Sequence, residues 1–374
     1  MGRYVGENPM TADWLPEVWE RKGIRGKLLW LVLLPCSYLY RLGVAMRNGC
    51  YALKLFKPKS LDRPVISIGN LTVGGTGKTP SSIWLAQALQ QRGFRVAILS
   101  RGYKRKHEGV VVVAPLVSGS LYSDDAKEVA AAGDEPFMMA RLYGQTVAVA
   151  PDRYAAAQHL ATEREVDLYI LDDGFQHRQL KRDLDIVLLG SDVSGVLLPA
   201  GPFREPARAA RRADFVVVTG GDARWGATLH KVKNAEPFYG SIHAIALGAI
   251  ESNRWVEYPL SHLFNSKILA VVGIAHPDSF FRTLHDAGGE ISDTIEYEDH
   301  HDYSSRDWQD INRAARQVDL IVTTEKDLVK LAKYPFPRGK LMALRVVMQI
   351  EEGDRLIDSV VGRLPALPRG SKAA

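Results

Sequence analysis

The chain has 374 residues, room for two domains of ordinary size, and its 46% hydrophobic and 24% charged content is that of a globular protein, which excludes a disordered or low-complexity chain. A formal charge of +5 is modestly basic and points to contact with anions, without choosing among nucleotide, anionic lipid and nucleic acid. Cys36 and Cys50 lack metal-type spacing and exclude a disulfide framework, so they read as reduced packing residues of a cytoplasmic protein.

The first feature along the chain is the uncharged apolar run 28–40. Pro35 interrupts it and Arg41 closes it, which leaves it shorter than the roughly 20 apolar residues of a spanning helix. Arg21, Lys22, Arg25 and Lys27 precede it, while Arg47, Lys54, Lys57 and Lys59 follow, and Trp30, Tyr38 and Tyr40 can sit at headgroup depth. An interfacial, monotopic helix fits best. A signal anchor and a helix buried against the protein's own core stay open, whereas a cleaved signal peptide does not fit so late a segment.

A β-branched run from Val65 then gives way to Thr72-Val73-Gly74-Gly75-Thr76-Gly77-Lys78-Thr79 and a stretch of helical spacing. In this strand, loop and helix, glycine N–H groups can converge on phosphate oxygens, Lys78 adds a point charge and the Thr79 hydroxyl can ligate Mg²⁺ at an anion-favouring helix N-terminus. The motif is a P-loop variant, because Thr72 or Val73 stands where the pattern has its first small residue. A second strand, 94–100, runs into Arg101, Tyr103, Lys104, Arg105 and Lys106, which suit an anionic ligand or a solvated charge run equally. Gly133-Asp134-Glu135-Pro136 opens a helical pattern, where the acids can cap the helix or do chemistry.

Strand 146–150 leads to Asp152-Arg153, and strand 167–171 ends in Asp172-Asp173, as a Walker-B strand does when it presents a carboxylate for Mg²⁺ beside a phosphate loop. Strands 185–190 and 214–219 follow, with Arg204 and Glu205 in the segment between them. Apolar strands without in-out alternation, separated by helices, predict a parallel sheet covered on both faces.

Strand, helix and strand recur at 268–274, 277–287 and 319–324, a second and smaller α/β unit. The β-like segments 243–250 and 341–350 flank it and are expected to pair as a two-stranded connector. His300 and His301 between its elements can be metal ligands, surface residues or part of a catalytic cleft, and 323–327 reads as a helix cap with an exposed charge cluster. The expected division is an N-terminal segment with the interfacial helix at 1–60, a P-loop nucleotide-binding domain at 61–237, the connector at 238–252 and 341–351, the smaller α/β domain at 253–340 and a C-terminal segment at 352–374, whose end should be frayed.

The motifs 67–80, Ser100-Arg101-Gly102-Tyr103, Gly133-Asp134-Glu135-Pro136, Asp152-Arg153, 171–177, 201–206, Asp299-His300-His301 and Thr324-Glu325-Lys326-Asp327 resemble, in order and over most of the chain, the tetraacyldisaccharide 4'-kinase family of lipid A biosynthesis. That resemblance implies an α/β, P-loop kinase-like fold and transfer of the γ-phosphoryl of ATP to the 4' hydroxyl of a lipid A disaccharide precursor, at the cytoplasmic face of the Gram-negative inner membrane. It implies ATP and Mg²⁺ as cofactors, with Thr72 to Thr79 as the nucleotide cradle and Thr79, Asp172, Asp173 and Glu205 around the metal. Asp134 assisted by His300 would act on the acceptor hydroxyl, and Lys78, Arg153 and Arg204 would meet phosphate. Neither nucleic acid nor an obligate protein partner is expected. A P-loop switch protein is the rival class, but Lys326 directly before Asp327 is the wrong spacing for guanine recognition; a soluble small-metabolite kinase would not need the apolar helix.

Overall fold

The computed structural model describes residues 4–5, 14–103, 105, 107–116, 127–190, 195–219 and 236–365; Lys104, Lys106 and the tail from Gly370 lie outside the described residues. In chain order the elements begin with β1 (Tyr4–Val5), α1 (Trp14–Trp19), α2 (Gly23–Ala52), β2 (Val65–Asn70), α3 (Lys78–Gln91), β3 (Val96–Ser100) and β4 (Val111–Val113). They continue with α4 (Lys127–Ala132), α5 (Asp134–Arg141), β5 (Thr146–Val149), α6 (Arg153–Glu163), β6 (Leu168–Leu171), β7 (Leu184–Leu189), β8 (Phe215–Val218), β9 (Glu236–Glu251) and β10 (Arg254–Tyr258). The remainder are β11 (Lys267–Val272), α7 (Pro277–Asp286), β12 (Glu290–Glu296), α8 (Ser305–Ala314), β13 (Leu320–Thr324), α9 (Glu325–Leu331), β14 (Leu341–Ile350) and α10 (Gly353–Arg363).

The chain packs as two units: a first unit of 9–96, 165–241 and 349–374, and a second of 1–8, 97–164 and 242–348. The sequence-based division keeps 61–237 together, whereas packing moves 97–164 into the same unit as 242–348. The physical reason lies between α5 and α9, where Tyr143 donates a 2.6 Å hydrogen bond to the buried Glu325 across 182 residues of chain.

In the first unit β9, β8, β7, β2 and β6 lie side by side in that order, and every pair in the series is parallel. Strands β2, β7 and β8 are buried at every position, which is why they carry apolar runs rather than alternation. Leu71, Phe175, Val187, Phe203 and Val216 form a core under the carboxyl ends of these strands. Gly69 permits that packing, since a Cβ there would stand 2.6 Å from the Cβ of Phe175. The C-terminal α10 closes the unit, with Arg363 over the Phe215 ring at 4.5 Å and Arg355 over Phe238 at 5.0 Å.

Helix α2 corrects the reading of its sequence in two respects. It runs unbroken for 30 residues through Pro35, well past Arg41, so the brevity inferred from the apolar run does not hold. Cys36 is exposed on it rather than packed. The helix has two distinct faces. Gly26, Ser37 and Val44 are buried against the unit, while Ile24, Leu28, Leu31, Val32, Leu39, Leu42 and Met46 recur at three- and four-residue steps on an exposed apolar stripe.

In the second unit β3 and β5 are parallel, and β4 runs antiparallel on β5. Strands β12, β11, β13 and β14 form a parallel series, β9 lies next to β14, and β10 returns antiparallel along β9. One core of Leu247, Ile268, Val272, Leu284 and Val322 covers one face; a second, with Leu269, Tyr303, Ile311 and Leu328, covers the other.

Candidate active site

The first unit places the glycine-rich loop where β2 ends. Asn70 is fully buried and its Nδ2 donates to Thr76 Oγ1 at 2.8 Å, bridging the mouth of the loop. Gly74 and Gly77 have φ of 99° and 82°, left-handed backbone that a side chain would resist, and Gly77 is the N-cap of α3. No side chain caps that helix, so its first N–H groups point into the loop. Lys78 Nζ donates to the Gly74 carbonyl at 3.1 Å and lies 3.9 Å from Asp173. From the other side, Val73 N donates to Pro202 O at 2.8 Å and Thr219 Oγ1 to Thr76 O at 3.2 Å, which encloses 72–77.

The acid at the end of β6 meets this helix. Ser82 donates to Asp172 Oδ1 at 2.7 Å, and Ser82 follows Thr79 by three residues, so the buried Asp172 carboxylate lies along the helix face that carries the Thr79 hydroxyl. Asp173, the next residue, has φ 47°, a left-handed conformation that aspartate tolerates better than most residues. Arg204 holds it by a two-pronged pair, with Nη1 to Oδ2 at 3.0 Å and Nη2 to Oδ1 at 2.9 Å. The same guanidinium donates to Thr72 O at 2.9 Å and to Asn70 Oδ1, so one arginine ties the acid to the loop.

Among the described residues no three His, Cys, Asp or Glu side chains converge as a ready-made metal cage. The arrangement suits Mg²⁺, which takes few protein ligands and relies on phosphate and water for the others. Thr79 and Asp172 are the groups that could hold it. Glu205 is placed otherwise. Fully enclosed, it takes Arg47 at 2.9 Å, Asn48 at 3.3 Å and Arg212 at 2.7 Å on its two oxygens. Burial alone would raise its pKa, but these partners outweigh burial and hold it below the ordinary glutamate range. Its carboxylate therefore anchors α2. The anchoring continues next to it, since Tyr40 donates to the Arg204 carbonyl at 3.1 Å and Ser37 accepts from Ala200 N at 2.9 Å.

The second unit holds the other group of predicted residues. Asp134 opens α5 behind Gly133, which takes φ 94° as its N-cap. His300 Nδ1 lies 3.1 Å from both Asp134 oxygens across 166 residues. His300 has φ 61° and its ring lies 5.0 Å from that of Tyr103, so a left-handed turn aims the imidazole at the acid beside an exposed aromatic. Of the three readings open for the histidines, His300 is a partner of a buried carboxylate. His301 pairs with Asp307 at 3.1 Å and stacks on Tyr297 at 4.5 Å, a packing role. Arg153, at the start of α6, is buried and donates to Pro151 O at 2.9 Å.

Sequence reasoning missed the two lysines beside this pair. The segment 323–327 is a helix cap, with Thr324 Oγ1 accepting from Asp327 N at 3.0 Å, but its charges are not exposed. Asp327 and Glu325 are buried, and Lys326 and Lys330 keep only 11% and 10% of their side chains exposed. Lys326 Nζ lies 2.7 Å from Asp299 and 3.9 Å from Glu135, and Lys330 Nζ lies 3.3 Å from Asp134 Oδ2. Burial works against both ionised partners and is overcome in each. His300, Lys326 and Lys330 hold Asp134 well below the usual carboxylate range, and Glu135, Asp134 and Asp299 hold Lys326 above the usual lysine value. The signal available in sequence was the i, i+4 step between the lysines, which puts both on one helix face.

The comparisons with known proteins agree on one family. Residues 29–364 match tetraacyldisaccharide-1-P 4'-kinase. A tetraacyldisaccharide 4'-kinase of Syntrophus aciditrophicus is 40% identical over 344 residues, covering 86% of this chain and 88% of its own length. Another, of Anaeromyxobacter sp., is 36% identical over 379 residues, covering 94% and 98%. The crystal structure of LpxK from Aquifex aeolicus in complex with ATP superposes with a TM-score of 0.71 at 34% identity, over 90% of this chain and 100% of that one.

Proposed function

The chain belongs to the tetraacyldisaccharide-1-P 4'-kinase family, and from that premise we propose that it transfers the γ-phosphoryl of ATP to the 4' hydroxyl of a tetraacylated glucosamine disaccharide 1-phosphate, a step of lipid A formation. The observation that carries this reading is the glycine-rich loop at the N-terminus of α3, with Lys78 on the loop and the buried Asp172 against the first turn. Phosphoryl transfer asks a protein mainly for positioning and charge neutralisation. Residues 72–79 cradle the nucleotide phosphates through their N–H groups, and Lys78 is released from the Gly74 carbonyl to meet phosphate oxygen. Thr79 and Asp172, with Asp173 alongside, would hold Mg²⁺, whose charge would offset that on the phosphates. Arg204 keeps Asp173 and the loop in register.

At the acceptor, the new bond forms between the 4' oxygen and the γ-phosphorus, the bond to the ADP oxygen breaks, and the 4' proton passes to the Asp134–His300 pair. Asp134 is ionised at neutral pH, so it accepts a hydrogen bond from the hydroxyl. Its depressed pKa makes it a weak base. That suits a loose transition state, in which orienting the hydroxyl matters more than removing its proton early. Arg153 is assigned to substrate phosphate.

The product is formed at a membrane surface, the cytoplasmic face of the inner membrane, with α2 lying in the interface. The apolar stripe supports this, as does the opposite face, which is bound to Ala200, Arg204 and Glu205; a spanning helix would carry those polar groups into hydrocarbon. Each buried CH₂ is worth about 0.8 kcal/mol, so working at the surface avoids extracting whole acyl chains. The test is incubation with labelled ATP and purified lipid disaccharide, followed by mass analysis. One added phosphate on the sugar distal to the 1-phosphate supports the reading; ATP turnover with unchanged lipid would sink it.

A further inference from the structure

We propose that Lys330 is a positioning residue for the reaction, acting by clamping Asp134 to the turn that carries His300; this rests on the reading of Asp134 and His300 as the acceptor-side pair. The ammonium has three donors, and it has three partners. It donates to the His301 carbonyl at 2.9 Å and forms ion pairs with Asp327 Oδ1 at 3.1 Å and Asp134 Oδ2 at 3.3 Å. Only 10% of the side chain is exposed, and its Nζ stands 5.3 Å from the centre of the Tyr303 ring, so water does not compete freely for the charge.

Each partner belongs to a different piece of backbone. Asp134 begins α5, the His301 carbonyl sits one residue beyond His300, and Asp327 lies in the first turn of α9, on the same helix as Lys330. Asp327 is itself immobilised, because its Oδ2 accepts from Gly273 N at 2.9 Å and from the Thr324 hydroxyl at 2.8 Å. Gly273 in turn has no room for a side chain without pressing Asp327 and Tyr303, both at 3.1 Å. The clamp is thus rooted at the end of β11 and grips the two halves of the acid–imidazole pair. His300 needs that grip because its backbone is left-handed, a conformation that persists only where surroundings hold it. Lys326 does a different job. Its contacts are the rim acids Asp299 and Glu135, which carry 41% and 33% exposure, so it supplies charge without touching the turn's carbonyl.

The experiment compares Lys330→Met, Lys330→Gln and Lys330→Arg in the full-length enzyme, measuring kcat and KM against pH alongside Asp134→Asn. The Met and Gln variants remove the cation that joins Asp134 to the turn carrying His300. kcat at neutral pH falls by roughly tenfold to a hundredfold, with KM for ATP within about twofold of wild type. Gln keeps a donor for the His301 carbonyl and so tests the charge in a folded protein, and Arg, which keeps the charge, returns most of the rate. In the double variant with Asp134→Asn, the Lys330 change adds less than about twofold, since a residue acting through Asp134 has nothing left to act on. A wild-type rate in Lys330→Gln, or a Lys330 loss that adds in full to that of Asp134→Asn, overturns the proposal. Full activity in Asp134→Asn would instead remove the acceptor-side reading on which it rests.

Discussion

In the first unit the glycine-rich loop gathers its groups from the consecutive residues 74–79, and its lysine rests on a backbone carbonyl and near one partly exposed acid. In the second unit Asp134 is enclosed by groups from two distant segments, one carrying His300 and the other Lys326 and Lys330. The loop is a local device built from consecutive residues; the acid–imidazole pair is held by partners from distant segments. A contiguous cradle can be specified by glycine placement alone, whereas a buried ion cluster exists only once several helices have packed around it.

Mutations that strike each device separately sharpen this difference. Asp134→Asn should have the largest effect, a fall in kcat of about 10²- to 10⁴-fold with ATP affinity essentially unchanged, read by steady-state rates and by nucleotide titration. Lys78→Met should cost about 10²- to 10³-fold and, unlike the first, weaken ATP binding. If Asp134→Asn lost ATP affinity as Lys78→Met does, the two devices would not be separable. Leu31→Asp with Leu39→Asp should leave turnover of a detergent-dispersed substrate near wild type but reduce sedimentation with vesicles by about tenfold or more, since each leucine removed from the interface forfeits roughly 1.5–3 kcal/mol. Unchanged sedimentation would detach α2 from the membrane surface.

The smallest effect on rate should come from Glu325→Gln, whose readout is stability. Burial pushes the Glu325 carboxyl up to about 7 from the ordinary glutamate value of 4.5, against the opposing influence of the Tyr143 hydroxyl. Between those two values the folded protein binds the proton more tightly than the unfolded chain does. Its contribution is therefore complete below about pH 4.5 and is lost as pH rises through about 7, on the order of 3 kcal/mol in all. Gln is neutral throughout, so the variant's melting temperature should fall less between pH 5 and pH 8 than that of the wild type. Parallel curves would show that Glu325 is ionised in the folded state.

Much of the first unit was legible beforehand. The apolar runs of β2, β6, β7 and β8, the glycine spacing of the loop and the Asp172-Asp173 pair after β6 are all local signals, and strand burial on both faces follows from them. Asp134 and His300 came from motif resemblance, because no spacing connects residues so far apart. Glu205 shows the converse: a motif names a carboxylate without naming its neighbours, and Arg47, from a helix far earlier in the chain, pairs with it. Lys326 looked like exposed charge and Lys330 drew no reading, since nothing along the chain announces that α5 will pack against their helix.

By itself, then, the order of residues determined a parallel α/β architecture, a glycine-rich turn between strand and helix and an apolar amphipathic N-terminal helix, since each is set by backbone preference and hydrophobic period within a short stretch. Tertiary structure alone decided that 97–164 packs with 242–348, that Glu205 braces α2, and that Lys330 spans Asp134, His301 and Asp327. Those outcomes depend on desolvating charges against partners distant in the chain, and the balance between burial and pairing is struck only where the segments meet.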